Sequence, residues 1–146
     1  MAFVIDDSVD IDAPAEVVWK VLTDFPAYGE WNPFVPGCST TLEPGAPIDM
    51  RVRLVGPRPK AQREWIRSHT PGTEFSYAMK PIPLGALHSL RSHTLTPLDT
   101  GRCRYTSHFE IAGWLQPLVT GLMGSALRRG FGDMTTAVKQ RAQQLT

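Results

Sequence analysis

Arg102-Cys103-Arg104-Tyr105-Thr106-Ser107-His108-Phe109-Glu110-Ile111-Ala112-Gly113-Trp114-Leu115-Gln116-Pro117-Leu118 is the stretch in which the hydrophobic period of this chain changes. Up to Ala112, the residues Cys103, Tyr105, Ser107, Phe109 and Ile111 fall on one side of a two-residue alternation, the mark of a strand with one buried face. Beyond Gly113, Leu115, Leu118, Val119, Leu122, Met123, Ala126 and Leu127 recur at helical spacing, and Met134, Val138 and Leu145 continue the stripe. A long closing helix therefore follows the strand directly. Pro117 falls in its first turn, where a proline is tolerated. Gly121, Gly124, Gly130 and Gly132 each lower helix propensity by up to about 1 kcal/mol relative to alanine. Such glycines need close packing against a neighbour or room beside a bound molecule, and packing is the simpler explanation.

Upstream of this junction the period of two extends back to Gly37. Ile48, Met50, Val52 and Leu54 alternate with Asp49, Arg51 and Arg53, a strand with one wet face. Gly56-Pro57-Arg58-Pro59, Pro71-Gly72, Pro81-Ile82-Pro83-Leu84-Gly85 and Asp99-Thr100-Gly101 separate apolar runs at 61–69, 74–80, 86–96 and 102–112. Short strands joined by such turns predict an antiparallel meander. At the beginning, Val9 and Ile11 alternate with Ser8, Asp10 and Asp12, predicting a first strand. Ala13-Pro14-Ala15-Glu16 predicts a helix start with proline at its first position. Val17, Val18, Val21, Leu22 and Phe25 form the apolar stripe of that helix, which should stop near Pro26. The order is strand, one or two short helices, five or six strands, long helix: an α+β fold with a curved sheet around a helix.

Composition limits what this fold can do. The chain has 146 residues, enough for one domain over 1–146, and 42% of them are hydrophobic. Its 15 Lys+Arg against 14 Asp+Glu leave a net charge of +1, which argues against a nucleic-acid binder. Two cysteines, Cys38 and Cys103, are too few for a disulfide scaffold or a four-thiolate metal site. The first twelve residues carry four aspartates and no basic group, unlike a signal or transit peptide. No apolar stretch approaches the roughly eighteen residues that span a bilayer. Its 13 prolines and 12 glycines fall between periodic segments as turn residues. The expectation is a soluble, cytoplasmic protein without a cofactor, monomeric or homodimeric.

Ile11-Asp12-Ala13-Pro14-Ala15-Glu16-Val17-Val18-Trp19, Leu22-Thr23-Asp24-Phe25, Tyr28 and Trp31-Asn32-Pro33-Phe34 resemble the opening of the bacterial polyketide cyclase/dehydrase-like branch of the START-like, Bet v 1-like (SRPBCC) superfamily. Leu95-Thr96-Pro97-Leu98 with Gly101-Arg102, Gly113-Trp114-Leu115-Gln116-Pro117-Leu118, and Phe131 with Met134 and Lys139 resemble its far end. The resemblance covers essentially the whole chain. It implies a helix-grip fold: a seven-stranded curved antiparallel sheet wrapped around the C-terminal helix, with a cavity between them. Members bind lipids, sterols, hormones or polyketides, and only some are enzymes. Where relatives often carry an acid four positions before the glycine that opens the last helix, this chain has Phe109, implying a more apolar cavity.

Several residues could carry chemistry. His69, His88, His93 and His108 lack zinc-ligand spacing, and no HExxH, nucleophile elbow or phosphate loop occurs, so neither metal nor nucleotide is expected. His93 shares strand parity with Arg91 and Leu95; if Leu95 faces inward, a cation and an imidazole enter a mostly apolar cavity, where they could orient a ligand oxygen. On the 61–69 run, Glu64 pairs in parity with Ile66, and Trp65 with Arg63, Arg67 and His69. One set faces the helix, and alternation alone leaves both open. Inward, Glu64 is a candidate acid/base with a raised pKa; inward, Trp65 is a flat wall for a ring.

Tyr77 with Phe75 and Met79, and Tyr105 with Ser107 and Phe109, are inward candidates by alternation. Met50, Met79, Met123 and Met134 suit an adaptable apolar pocket. Trp31 and Phe34 lie in an irregular segment as a plug at one cavity end, and Met123 and Leu127 present the closing helix to a ligand. Arg51, Arg53, Arg58, Lys60, Arg63 and Arg67 form the one basic cluster, a solvated face or a contact surface for protein or anionic membrane. Three functions follow. The first is a carrier of a small hydrophobic molecule, with Arg91, His93 and Tyr105 at its polar end. The second is a cyclase or dehydratase using His93 or Glu64. The third is a co-chaperone-like interaction module using the 51–67 face.

Overall fold

A computed structural model describes residues 2–146. Strand β1 (Ala2–Ile11) leads into α1 (Ala15–Thr23), a 3-10 turn (Phe25–Ala27) and the short α2 (Tyr28–Trp31). Strands β2 (Gly37–Ser39), β3 (Pro47–Val52), β4 (Lys60–Thr70), β5 (Glu74–Ala78), β6 (His88–Asp99) and β7 (Arg102–Ala112) follow, and α3 (Gln116–Gln144) closes the chain. The seven strands form one antiparallel sheet in the order β1-β7-β6-β5-β4-β3-β2. This is the expected helix-grip fold, with six strands after the first helices. Among the described residues no helix is long and apolar enough to cross a membrane.

Local chemistry moves some boundaries. Pro14 is not the first helical residue but the N-cap of α1, extended at φ −61° and ψ 150°. Its carbonyl accepts the N–H groups of Val17 and Val18, so the helix begins one residue later than expected. The run at 86–96 becomes a strand only from His88, because the preceding loop closes on itself through the Ile82–Leu87 bridge.

The 61–69 run holds the larger departure. Its pairing with β5 shifts between Ile66 and Ser68, so Arg67 is the extra residue of a β-bulge. Glu64 and Ile66 face the helix, at 8% and 1% exposure, and Trp65 lies on the other face. After the bulge the parity reverses, and His69 also faces inward, its ring stacked on Trp19 at 5.9 Å. The expected common face of Trp65, Arg67 and His69 is therefore broken at Arg67, because one inserted residue flips every later side chain.

Helix α3 packs chiefly along β1, with α1 and β7 making smaller contacts. Leu127, Phe131, Met134 and Val138 meet Ile5, Ile11, Leu95 and Tyr105 in the core. Over β3, β4 and β5 the curved sheet leaves the helix, and there the interior opens. Two glycines hold this arrangement. Gly113 has φ +120°, and a Cβ on it would stand 2.3 Å from the Ala86 carbonyl oxygen, so the β7–α3 corner closes only on glycine. A Cβ on Gly130 would stand 2.3 Å from the Phe34 ring, so that ring lies directly on bare helix backbone. Gly121 and Gly132 face open space, and Gly124 leaves ordinary van der Waals room beside Phe3. Close packing thus accounts for one of the four helix glycines, Gly130.

Candidate functional site

Between the sheet and the N-terminal half of α3 lies a cavity of about 460 Å³. Met50, Val52 and Leu54 form the β3 wall, Tyr77 and Met79 the floor, and Val119, Met123 and Leu127 the roof. All four methionines expected to suit a pocket, Met50, Met79, Met123 and Met134, line it. Phe34 enters from the segment after α2, where the Asn32 side-chain oxygen accepts the N–H groups of Phe34 and Val35 at 3.1 and 2.8 Å. Phe34 stands edge-on to Phe131, with ring centres 5.0 Å apart, and Phe109 stacks on the same ring at 4.7 Å. In place of the acid at that position, Phe109 makes this flank aromatic.

The inward parity of β6 carries Arg91 into this apolar space at 3% exposure. Its guanidinium donates to Ser107 Oγ, reaches the His108 carbonyl at 3.4 Å and Met134 Sδ at 3.7 Å, and lies 4.5 Å above the Phe131 ring. Among the described residues no carboxylate stands within 4 Å of it. A buried cation normally has an anionic partner, because neutral contacts replace only part of its hydration. Glu64 also lines the cavity. Burial pushes its carboxyl pKa up, against the Gln62 amide, which hydrogen-bonds Oε2, and the Arg91 charge, which both favour the carboxylate. The cavity thus holds a fixed cation and a carboxyl group that binds its proton more tightly than usual.

His93 and Tyr105 were expected at the ligand's polar end, and they lie behind the wall instead. Both face inward, at 1% and 0% exposure, yet neither lines the cavity. His93 Nδ1 and the Tyr105 hydroxyl hydrogen-bond at 2.6 Å, their rings nearly parallel, and Phe75 covers the imidazole at 4.6 Å. Burial and then the Arg91 charge hold the His93 pKa well below its ordinary value, so the imidazole is neutral. The two polar groups satisfy each other inside the core. Trp31 is also absent from the lining, because its ring packs edge-on to Tyr28 at 5.1 Å. Trp65 reaches the cavity rim from the outer side of β4 and borders a second crevice there, with Arg67 and Lys80. Phe34, Glu64, Tyr77, Arg91, Phe109, Met123 and Leu127 come together around the main cavity.

Phe131 was not among the expected ligand contacts, although it joins the Arg91 site to the aromatic flank. Its place between Leu127 and Met134 on the helical stripe was the available signal. Asp7 was missed as well. It shares β1's inward parity with Ile5 and Val9 opposite Ser107, and its Oδ2 is buried with no hydrogen-bond partner. No three His, Cys, Asp or Glu side chains among the described residues stand close enough to hold a metal ion.

Known proteins place this geometry. The chain is similar in fold to a START superfamily protein from Mycobacterium smegmatis, at 18% identity over 98% of this chain and 99% of that one, with a TM-score of 0.73. It is similar to the Zhui aromatase/cyclase from Streptomyces sp. R1128, at 17% identity over 99% and 95% of the two chains, TM-score 0.75. Norcoclaurine synthase from Thalictrum flavum, in complex with dopamine and hydroxybenzaldehyde, matches at 14% identity over 100% and 89%, TM-score 0.73. At these identities the likeness is one of fold. No curated protein matches the sequence. A family profile described as polyketide cyclase/dehydrase and lipid transport matches residues 2–143, nearly the full length. The chain belongs to the polyketide cyclase/dehydrase and lipid transport family.

Proposed function

We propose that this protein binds a small, mainly apolar molecule in the cavity and holds an anionic or carbonyl oxygen of that molecule against Arg91. The observation that carries this is the buried guanidinium without a carboxylate partner at the wall of an apolar space. A volume of about 460 Å³ falls among ordinary ligand sites, which run from about 300 to 1,000 Å³. Apolar burial supplies most of the affinity, at about 25 cal/mol per Å² before the costs of association. The charge-assisted hydrogen bond to Arg91 adds about 1.5–3 kcal/mol and fixes orientation. Methionine walls that repack easily favour a ring-bearing or polyketide-like guest of variable outline.

Displacement of 1-anilinonaphthalene-8-sulfonate, read by fluorescence, tests this with 2-naphthoate and its methyl ester as competitors. Arg91→Met keeps the bulk and removes the charge. It should weaken the acid about tenfold to a hundredfold and leave the ester nearly unchanged. Equal losses for both competitors, or no binding of either, would defeat the proposal.

Glu64 favours a second reading, that of a cyclase or dehydratase. A carboxyl whose pKa burial raises lines the same cavity as a cation, which suits proton transfer to or from a carbon beside a carbonyl whose oxygen Arg91 stabilises. The reading rests on Glu64 rather than His93, because His93 does not line the cavity. Glu64→Gln should then stop turnover of a polyketide-like substrate while leaving its binding intact; a variant that turns over normally removes this alternative.

A further inference from the structure

The near-zero net charge conceals a segregation. Residues 50–63, 75–98 and 111–132 contain no acidic residue, whereas residues 6–30 hold Asp6, Asp7, Asp10, Asp12, Glu16, Asp24 and Glu30 against Lys20 alone. The three acid-free segments supply the β3–β4 turn, the β5–β6 loop and the start of α3, which together rim the cavity mouth. β1 runs antiparallel to β7, so Asp12 and the acidic residues after it lie at the opposite end. Around the mouth, Arg53, Arg58, Lys60, Lys80, Arg128 and Arg129 all have exposed side chains.

Inside this basic ring the surface is apolar. Leu118 and Leu122 form one exposed stripe of α3, at 61% and 77%, Arg129 continues it, and Trp114, 65% exposed, stands in the turn just before the helix. The stripe borders Val119 and Met123, which line the cavity. Beside it stands Leu84, 92% exposed and held at φ +64°. A leucine in the left-handed region is strained, and one exposed to water returns nothing to the core. The loop carrying it is pinned: Trp114 Nε1 donates to the Leu84 carbonyl at 3.0 Å, and Leu115 N–H to the Ala86 carbonyl at 2.9 Å. A strained leucine and a tryptophan are thus presented together outward.

We infer that this end of the molecule docks on a membrane surface carrying anionic lipids, with Leu84, Trp114, Leu118 and Leu122 entering the headgroup boundary and the basic ring facing lipid phosphates and carboxylates. Apolar side chains ringed by cations, with no acid among them, complement that surface on both counts. Tryptophan with an apolar body and one polar N–H suits the interface. Docking so oriented sets the cavity mouth against the bilayer. Exchange of an apolar guest there rests on the function proposed above, while the docking itself does not.

Co-sedimentation of the full chain with vesicles tests the inference, using phosphatidylcholine alone and mixed with phosphatidylserine. Binding should need phosphatidylserine and fall with salt. Arg58→Glu and Lys60→Glu should each weaken it at least about fivefold, the worth of one cation near such a surface. Leu84→Asp combined with Leu122→Asp should abolish it; both positions are exposed, and aspartate tolerates the left-handed conformation better than leucine. Thermal melts and dye displacement in vesicle-free solution report whether these variants keep fold and cavity, so loss of docking is separable from loss of ligand binding. The inference is overturned if wild type ignores the mixed vesicles, or if the double variant binds them as well as wild type. It is also overturned if sedimentation velocity finds a dimer that the double variant dissolves, since a second copy would then cover the patch.

Discussion

Gly130→Ala isolates the contact on which the cavity's aromatic flank depends. A methyl group there would sit 2.3 Å from one ring carbon of Phe34 and 2.4 Å from another, against about 3.5–4.0 Å for carbons in contact. The ring would have to move by more than an ångström, with Phe131 on one side and the Asn32-held backbone behind it. Forcing extra methylenes into a packed core costs about 1–3 kcal/mol. Against this, alanine gains about 1 kcal/mol over glycine in a helix interior. Gly121→Ala gives that gain alone, because a Cβ at Gly121 meets nothing within 4 Å. Gly121→Ala should therefore raise the melting temperature by about 3 °C, and Gly130→Ala should fall roughly 3–9 °C below it. Adding Phe34→Ala should erase the difference, and this double-mutant cycle assigns the coupling to the ring. In calorimetric melts, equal rises for Gly121→Ala and Gly130→Ala would refute the packing of Phe34 on bare backbone.

Further outcomes follow from other contacts. Gly113→Ala should cost more than about 3 kcal/mol in urea unfolding, because it combines positive φ with backbone overlap at Ala86, and backbone cannot step aside as a ring can. In histidine NMR, His93 should stay neutral well below pH 6.5, whereas His108, whose partial burial is outweighed by Asp6 and Glu110, should titrate above it. Below pH 6.5 the unfolded chain takes up a proton at His93 that the native state refuses. Stability should accordingly fall by up to about 1.4 kcal/mol per pH unit, a slope absent once His93→Leu and Tyr105→Phe remove both partners together. The fully buried Cys103 should resist alkylation at pH 8 until urea is added, whereas the half-buried Cys38, whose thiol burial pushes up to about 12, should react slowly; rapid native labelling of Cys103 would contradict its placement.

The fold was legible because its elements alternate or recur cleanly, as in 102–112 and along α3. The inward side of β6 was legible for the same reason, since Leu95 marks the buried face. On β4 each face carries one large apolar residue, Ile66 or Trp65, so hydrophobicity does not choose between them, and the bulge at Arg67 is set by the register with β5. Parity also says nothing of depth. Arg91 and His93 share a face, yet Arg91 borders the cavity while His93 is sealed behind Tyr77 and Phe75. The cavity arises where α3 parts from β3, β4 and β5, elements well before it in the chain, and no local pattern records that gap. The patch inferred to dock on a membrane was half visible, as the basic run at 51–67, and its apolar half became visible only when Leu84 and Trp114 were brought together.

The sheet order has a kinetic consequence. β1 is synthesised before the other six strands and pairs with β7 alone, and α3, made after all seven, packs against both. Until β7 and α3 have left the ribosome, β1 has no partner and the concave apolar face has no cover. Contacts of such high sequence separation should make folding slow, on the millisecond-to-second scale of other non-local β topologies. A chain truncated before α3 would expose an uncovered sheet prone to aggregation, so quality control of this protein should act on its unfinished forms more than on its finished one.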